Sequence, residues 1–198
     1  MLAGWRGPKF RLRGPRVHIR PARRSDQKQW LALRAASREF LEPWEPTWAG
    51  DALTPRAFKR RLVKFHDDWR RETAYAFLIF ENGSNRLLGG ITVANVRRGV
   101  VQSANVGYWI GAPNARQGFM AEALQLALDF CFTRLRLHRV EAACLPHNMA
   151  SRGLLAKSGF REEGLARQYL CINGRWQDHV THAILATDNR PVVPSVAD

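Results

Sequence analysis

Acidic residues are absent before Asp26, cysteines number three, and no long uninterrupted apolar run occurs in the 198-residue chain. Arg, Lys, Asp or Glu breaks every hydrophobic segment short of the roughly 18 residues that a membrane-crossing helix needs, so no membrane partner is expected. Cys131, Cys144 and Cys171 lack metal-ligand spacing, and an odd count does not close into a disulfide framework. A reduced, cytoplasmic setting is therefore expected. The six histidines form neither an i, i+4 pair nor a cluster with the cysteines, which leaves no metal site to expect. No internal repeat is present, and the Arg-rich start lacks the serines and the apolar face of an organelle-targeting peptide.

What is present is enough apolar material, 45% of residues, for one globular core. The charge is lopsided, with 31 basic against 17 acidic residues and a formal net charge of +14. Eight of the basic residues (Arg6, Lys9, Arg11, Arg13, Arg16, Arg20, Arg23 and Arg24) precede the first acid. Such a segment either attracts polyanions, ribosomal RNA among them, or simply keeps the protein soluble. Composition divides the chain into a flexible basic arm over 1–15, a folded domain over 16–186 and a flexible Pro-containing tail over 187–198.

Periodicity predicts a mixed α/β (α+β) domain. Val17 to Pro21 reads as a short strand, followed by a helix to about Ser37 with Trp30 and Leu33 inward. Thr54-Pro55 opens a second helix whose Phe58, Leu62, Phe65 and Trp69 share one face. Thr73 to Glu81, Arg86 to Asn95 and Ser103 to Ile110 read as an antiparallel meander, the first pair turning through Asn82-Gly83-Ser84. Then come a helix marked by Phe119, Ala123, Leu126 and Phe130, a strand from Arg139 to Cys144, and a helix from Met149 that stops at Gly159. Strands Arg161 to Leu170 and Arg175 to Leu185 close the domain around an Asn173-Gly174 turn. The expected sheet has about seven strands, mostly antiparallel with one parallel pair, and about four flanking helices.

Two elements carry chemistry. Tyr108 to Ala123 passes from a strand through a short loop to a helix start at Gly118. Unpaired N–H groups at a helix start can hold a pyrophosphate, although glycine there also marks an ordinary turn. One strand onward, Asn148 and Ser151 open a helix, where they can face a ligand or merely cap it. A third segment, Leu41 to Trp48, mixes tryptophans with Glu42 and Glu45 and suits an amine ligand or simple packing.

In this order and spacing, these elements resemble the GNAT superfamily of acetyltransferases. Pro146-His147-Asn148, Ser151, Gly159-Phe160, Tyr169-Leu170, Asn173-Gly174-Arg175-Trp176 and Asp178-His179-Val180, with Leu41 to Pro46, are similar to the RimJ-type ribosomal-protein alanine N-acetyltransferases. The resemblance implies acetyl-CoA as cosubstrate and no metal. Trp109, Ile110 and Gly111 would pair with the pantetheine arm, and the backbone of Arg116, Gln117, Gly118, Phe119, Met120 and Ala121 would take the pyrophosphate. Asn148 would bond pantetheine, and Ser151 would protonate the departing thiolate. Trp44, Glu45, Tyr108, Tyr169 and Asp178 would line the acceptor site, and Glu45, Asp178 or His179 could relay the proton through water, with Asp178 and Glu45 first. The chain departs from the family's pattern at Ala115 and Met120. It also carries Asn105 and Leu170 where relatives place a catalytic Glu.

The implied acceptor is a protein N-terminal α-amine, first of all the alanine of a ribosomal protein. A small-molecule amine, or an inactive ribosome- or RNA-binding module, are the other readings. The sequence leaves the oligomeric state open.

Overall fold

In the computed structural model, which describes residues 10–191, the chain forms one eight-stranded sheet with helices on both faces. The strands are β1 (Leu12–Arg13), β2 (Val17–Pro21), β3 (Tyr75–Glu81), β4 (Leu87–Arg97), β5 (Ser103–Ile110), β6 (Arg139–Cys144), β7 (Arg161–Ile172) and β8 (Arg175–Leu185). They lie in the order β1-β2-β3-β4-β5-β6-β8-β7, antiparallel throughout except for β5 and β6. The helices are α1 (Gln27–Ala36), α2 (Arg38–Leu41), α3 (Pro55–Arg70), α4 (Phe119–Asp129) and α5 (Met149–Lys157).

Alternation along β3 sorts the two cores. Phe77 and Ile79 face α4 and pack with Ala123, Leu124 and Leu128, whereas Leu78 and Phe80 face α1 and α3 and pack with Trp30, Phe58 and Leu62. Helix α3 starts as its sequence dictates: the Thr54 hydroxyl accepts from the Ala57 N–H, and Pro55 takes the first helical position. The β7–β8 hairpin turns with positive φ at both Asn173 (45°) and Gly174 (77°), the geometry of a type I′ turn.

The boundaries of the arm and tail need correcting. Leu12–Arg13 pairs with His18 and Ile19, and Phe10 sits edge-on to Phe130, 5.3 Å between centroids, so the fold begins before residue 16. At the other end the Asp188 carboxylate accepts from the Leu185 N–H, and Arg190 lies over the Phe132 ring. The rest of the arm (1–9) and of the tail (192–198) lie outside the described residues. Among the described residues, no helix is long and apolar enough to cross a membrane, and no group of His, Cys, Asp and Glu is placed to hold a metal.

Candidate functional site

The parallel pairing of β5 with β6 lasts three residues, Ser103–Asn105 against Arg139–Glu141. Beyond it β6 stays with β8 through Cys144, while β5 runs on beside β4 through Ile110. The sheet therefore splits, and along Val106–Ile110 the β5 backbone has no neighbouring strand on its β6 side among the described residues. Peptide groups left this way need an external partner. An extended amide-bearing chain laid into the split meets that need.

Helix α4 follows β5 through the 111–118 loop, and its first turn lies beside the start of β2. Gly118, at φ 82°, is its N-cap and offers no capping side chain, so the first-turn N–H groups stay open. A β-carbon placed at Gly118 would meet only the Arg16 guanidinium, at 3.5 Å. Arg16 donates to the Gln117 carbonyl at 3.0 Å and lies 4.3 Å over the Phe119 ring. Glu122 accepts from the backbone N–H of Arg16 and of Val17, which ties this helix start to β2. Arg116, Gln117 and Gly118 are exposed, Ala121 is half-buried, and Phe119 and Met120 are buried. Open amides, a glycine without a clash and an adjoining cation together fit a diphosphate.

On the other side of the split, Asn148 caps α5: its Oδ1 accepts from the Ser151 N–H at 3.0 Å. The cap uses the oxygen and leaves the amide NH2 to donate. The Ser151 hydroxyl lies 2.8 Å from the Tyr108 hydroxyl on β5. Burial raises the Tyr108 pKa, which keeps it a neutral phenol. Burial also raises that of the Cys144 thiol, which a hydrogen bond to Ser151 partly offsets.

The segment from Leu41 to Trp48 and the β7–β8 hairpin meet beside this opening, where the Asn173 N–H donates to the Glu45 carbonyl at 3.0 Å. Trp44 lies 5.5 Å from the His147 ring, on the loop that leads into α5. Tyr169 packs edge-on against His179. Asp178 accepts from the Gln168 N–H at 2.8 Å, where the β7–β8 register shifts between Ala166 and Leu170. It thereby pins the bulge beneath Tyr169 and keeps one oxygen unspent.

Glu45 is placed differently from a free proton carrier. Its two oxygens accept from both Arg34 Nη atoms at 2.7 and 2.6 Å and from the Trp48 indole N–H at 2.8 Å. With both oxygens occupied by Arg34 and one also by Trp48, Glu45 is the anchor of its loop.

Three neighbours escape a reading of the sequence alone. They are Arg16 beside the α4 cradle, Arg34 beneath Glu45, and Glu141, whose carboxylate lies 3.4 Å from the Asn105 amide and is held by Arg97 and Arg139. Each partner is distant in sequence or looks like an ordinary surface charge, so no local pattern marks it.

The short parallel pair and the glycine-opened helix that follows β5 agree with the match of the acetyltransferase (GNAT) domain model to residues 16–161. The chain belongs to this family and is by that membership an N-acetyltransferase. It is 34% identical over 178 residues to the probable N-acetyltransferase YjcK of Bacillus subtilis, covering 90% of this chain and 98% of that protein. It is equally identical over 184 residues to the [ribosomal protein uS5]-alanine N-acetyltransferase of Escherichia coli, covering 93% and 95%. Among solved structures, Mycobacterium smegmatis RimJ in complex with CoA-disulfide superposes with a TM-score of 0.83 at 37% identity, covering 89% of this chain and 86% of that one.

Proposed function

We propose that the protein transfers the acetyl group of acetyl-CoA to the α-amine of a protein N-terminus, with an alanine of a ribosomal protein as the foremost acceptor. The observation that carries this reading is the split between β5 and β6 with the Tyr108–Ser151 contact lying across it. The likeness to the uS5-alanine enzyme of Escherichia coli supports the choice of acceptor.

Acetyl-CoA supplies an activated thioester. Open main-chain groups of β5 at Ile110 bind its pantetheine, joined by the Asn148 amide, whereas those of Gly111 are taken by the Leu88 carbonyl and the Asn114 N–H and Trp109 pairs with Gly90. The amides of Arg116 to Ala121 hold its pyrophosphate, with Arg16 adding a positive charge. A backbone N–H near Ile110 polarises the carbonyl. Ser151, oriented by the Tyr108 hydroxyl, delivers a proton to the departing sulfur and regains one from solvent. Trp44, Tyr169 and Asp178 line the acceptor side, and Asp178 takes up the amine proton through water.

The residues at the two family base positions favour an α-amine. Asn105 hydrogen-bonds Asn95 and Glu141, and Leu170 carries no base. Near pH 7.4 roughly a quarter of an α-amine is already neutral, against about 0.1% of a lysine side chain, so a weak base suffices for the former. Orientation within one ternary complex then supplies most of the rate.

The acceptor is met on an assembling ribosomal particle rather than as a free basic protein, which a +14 enzyme repels. The test is incubation with labelled acetyl-CoA and a cell lysate, followed by mass spectrometry of the modified proteins. Label on N-terminal residues supports the proposal, and label confined to small amines or lysines overturns it.

A further inference from the structure

A second feature lies at the β1–β2 edge of the sheet, on the face opposite α4. A recess of about 420 Å³ is lined by Arg11, Arg13, Arg20 and Arg23 together with His18, Asn82 and the carboxylate-bearing Glu81. His18 and Arg20 form its floor, 1% and 6% exposed, while Arg11, Arg13 and Arg23 stand exposed at the rim. The acids nearby are already committed: Asp26 takes both Nη atoms of Arg20, and Glu81 accepts from Ser84 and Arg86. Among the described residues, no carboxylate pairs with Arg11, Arg13 or Arg23.

Arg11 is nevertheless held in place, and by uncharged groups. Its Nη2 donates to His18 Nε2 at 2.8 Å. A guanidinium only donates, so that nitrogen carries no proton, and the ring N–H sits on Nδ1, which donates to Asn82 Oδ1 at 3.0 Å. The Asn82 amide donates onward to the Gly14 carbonyl at 2.7 Å. Burial and the surrounding Arg11, Arg20 and Arg13 push the His18 pKa down to about 4, which keeps this relay neutral. His18 in turn stacks on Phe80, whose ring also carries the Arg20 guanidinium at 4.0 Å. An arginine fixed by a neutral acceptor keeps its whole charge for a ligand, whereas one fixed by a carboxylate does not.

We propose that this recess binds backbone phosphates of RNA. The inference rests on the reading that the acceptor is met on a ribosomal particle, and it assigns the contact to residues of the folded domain. The lining is polar and concave and offers no apolar residue for insertion into a bilayer. Positive charge continues along the chain on both sides of it, with Arg6 and Lys9 before and Arg24 after, which suits phosphates in series better than one small anion.

The test uses the full chain and a fluorescein-labelled hairpin RNA of about 20 nucleotides, with binding followed by anisotropy across a KCl series; each phosphate left without its arginine should flatten the log–log salt slope by about 0.9. The Arg11→Ala/Arg13→Ala variant is expected to bind at least ~10-fold more weakly, with a slope shallower by about 2, while the exposed pair Arg134→Ala/Arg136→Ala, equal in charge removed, keeps most of the affinity. CoA affinity by calorimetry and acetylation of a free peptide should stay as in the parent. If the double variant unfolds, Arg13→Ala alone replaces it.

An unchanged affinity, an equal loss in the control pair, a drop in CoA affinity, or equally Arg11-dependent binding to phosphatidylserine vesicles would each overturn the proposal. Loss of RNA binding alone leaves the acetyltransferase reading standing. A protein that binds RNA but acetylates no N-terminus does the reverse.

Discussion

The Tyr108 and Ser151 hydroxyls, 43 residues apart in sequence, lie 2.8 Å from each other where β5 and α5 face across the split in the sheet. Neither residue stands out alone, since a tyrosine on a strand and a serine in a first helical turn are ordinary. Together they form a hydroxyl pair at the place where the cosubstrate's sulfur would lie. Because burial keeps the phenol protonated, Tyr108 serves as a neutral hydrogen-bond partner that orients the Ser151 hydroxyl, from which the sulfur would take its proton.

Ser151→Ala is expected to lower kcat by about 100-fold, the usual scale for losing a positioned acid. CoA affinity should change far less, since the Asn148 cap is satisfied by the backbone N–H of residue 151. Tyr108→Phe should follow in the same direction with a smaller loss. Steady-state kinetics beside calorimetry checks both variants, and an unaltered kcat in Ser151→Ala removes Ser151 from the proton transfer.

Gly118→Val should abolish detectable CoA binding in calorimetry. The added carbons fill the cradle, and a β-branched residue at φ 82° costs on the order of 1–2 kcal/mol. Circular dichroism and a melting curve separate a blocked site from a lost fold, and normal CoA affinity in the folded variant removes the phosphate assignment.

Glu45→Gln should raise KM for the acceptor while leaving CoA affinity unchanged. The amide no longer neutralises Arg34, and the stability loss is expected at about 1–3 kcal/mol, below the cost of breaking a fully buried pair because the Glu45 side chain is 21% exposed. An acceptor KM equal to that of the parent would take the 42–48 loop out of acceptor binding.

Stability should fall on acidification. In the fold His18 is held neutral, its pKa lowered from 6.5 to about 4, so the unfolded chain binds more protons between these values. The stabilisation is complete above about 6.5, declines as pH drops toward 4, and amounts to at most about 3 kcal/mol. His66, also lowered to about 4, acts in the same direction. Urea titrations from pH 4 to 7 should therefore show a shallower dependence in His18→Gln than in the parent, and parallel curves would contradict the neutral relay.

Much of the scaffold was legible because local pattern and global fold agree. Val17–Pro21, Ser103–Ile110, Arg139–Cys144 and Arg175–Leu185 have the bounds that alternation and flanking turns imply. The strand ending at Ile172 outran its expected end at Leu170, because a bulge inside β7 breaks the alternation before the hairpin resumes. Leu12–Arg13 was hidden in a Gly/Pro/Arg segment, and a two-residue strand has no periodicity to read.

Gly118, Asn148 and Ser151 stand at helix starts, as the sequence pattern implies. Their relation to Tyr108 has no local pattern, since it depends on the sheet splitting after Asn105. Glu45 read as a candidate proton relay because nothing local reveals Arg34 bonded to it.

The most direct measurement uses one peptide with a free N-terminal alanine and an internal lysine, incubated with acetyl-CoA and the purified protein and sequenced by tandem mass spectrometry. Acetyl on the alanine α-nitrogen, with the lysine untouched, is the predicted result. Acetyl on the lysine, or none on the peptide while a small amine is modified, would contradict N-terminal acetylation.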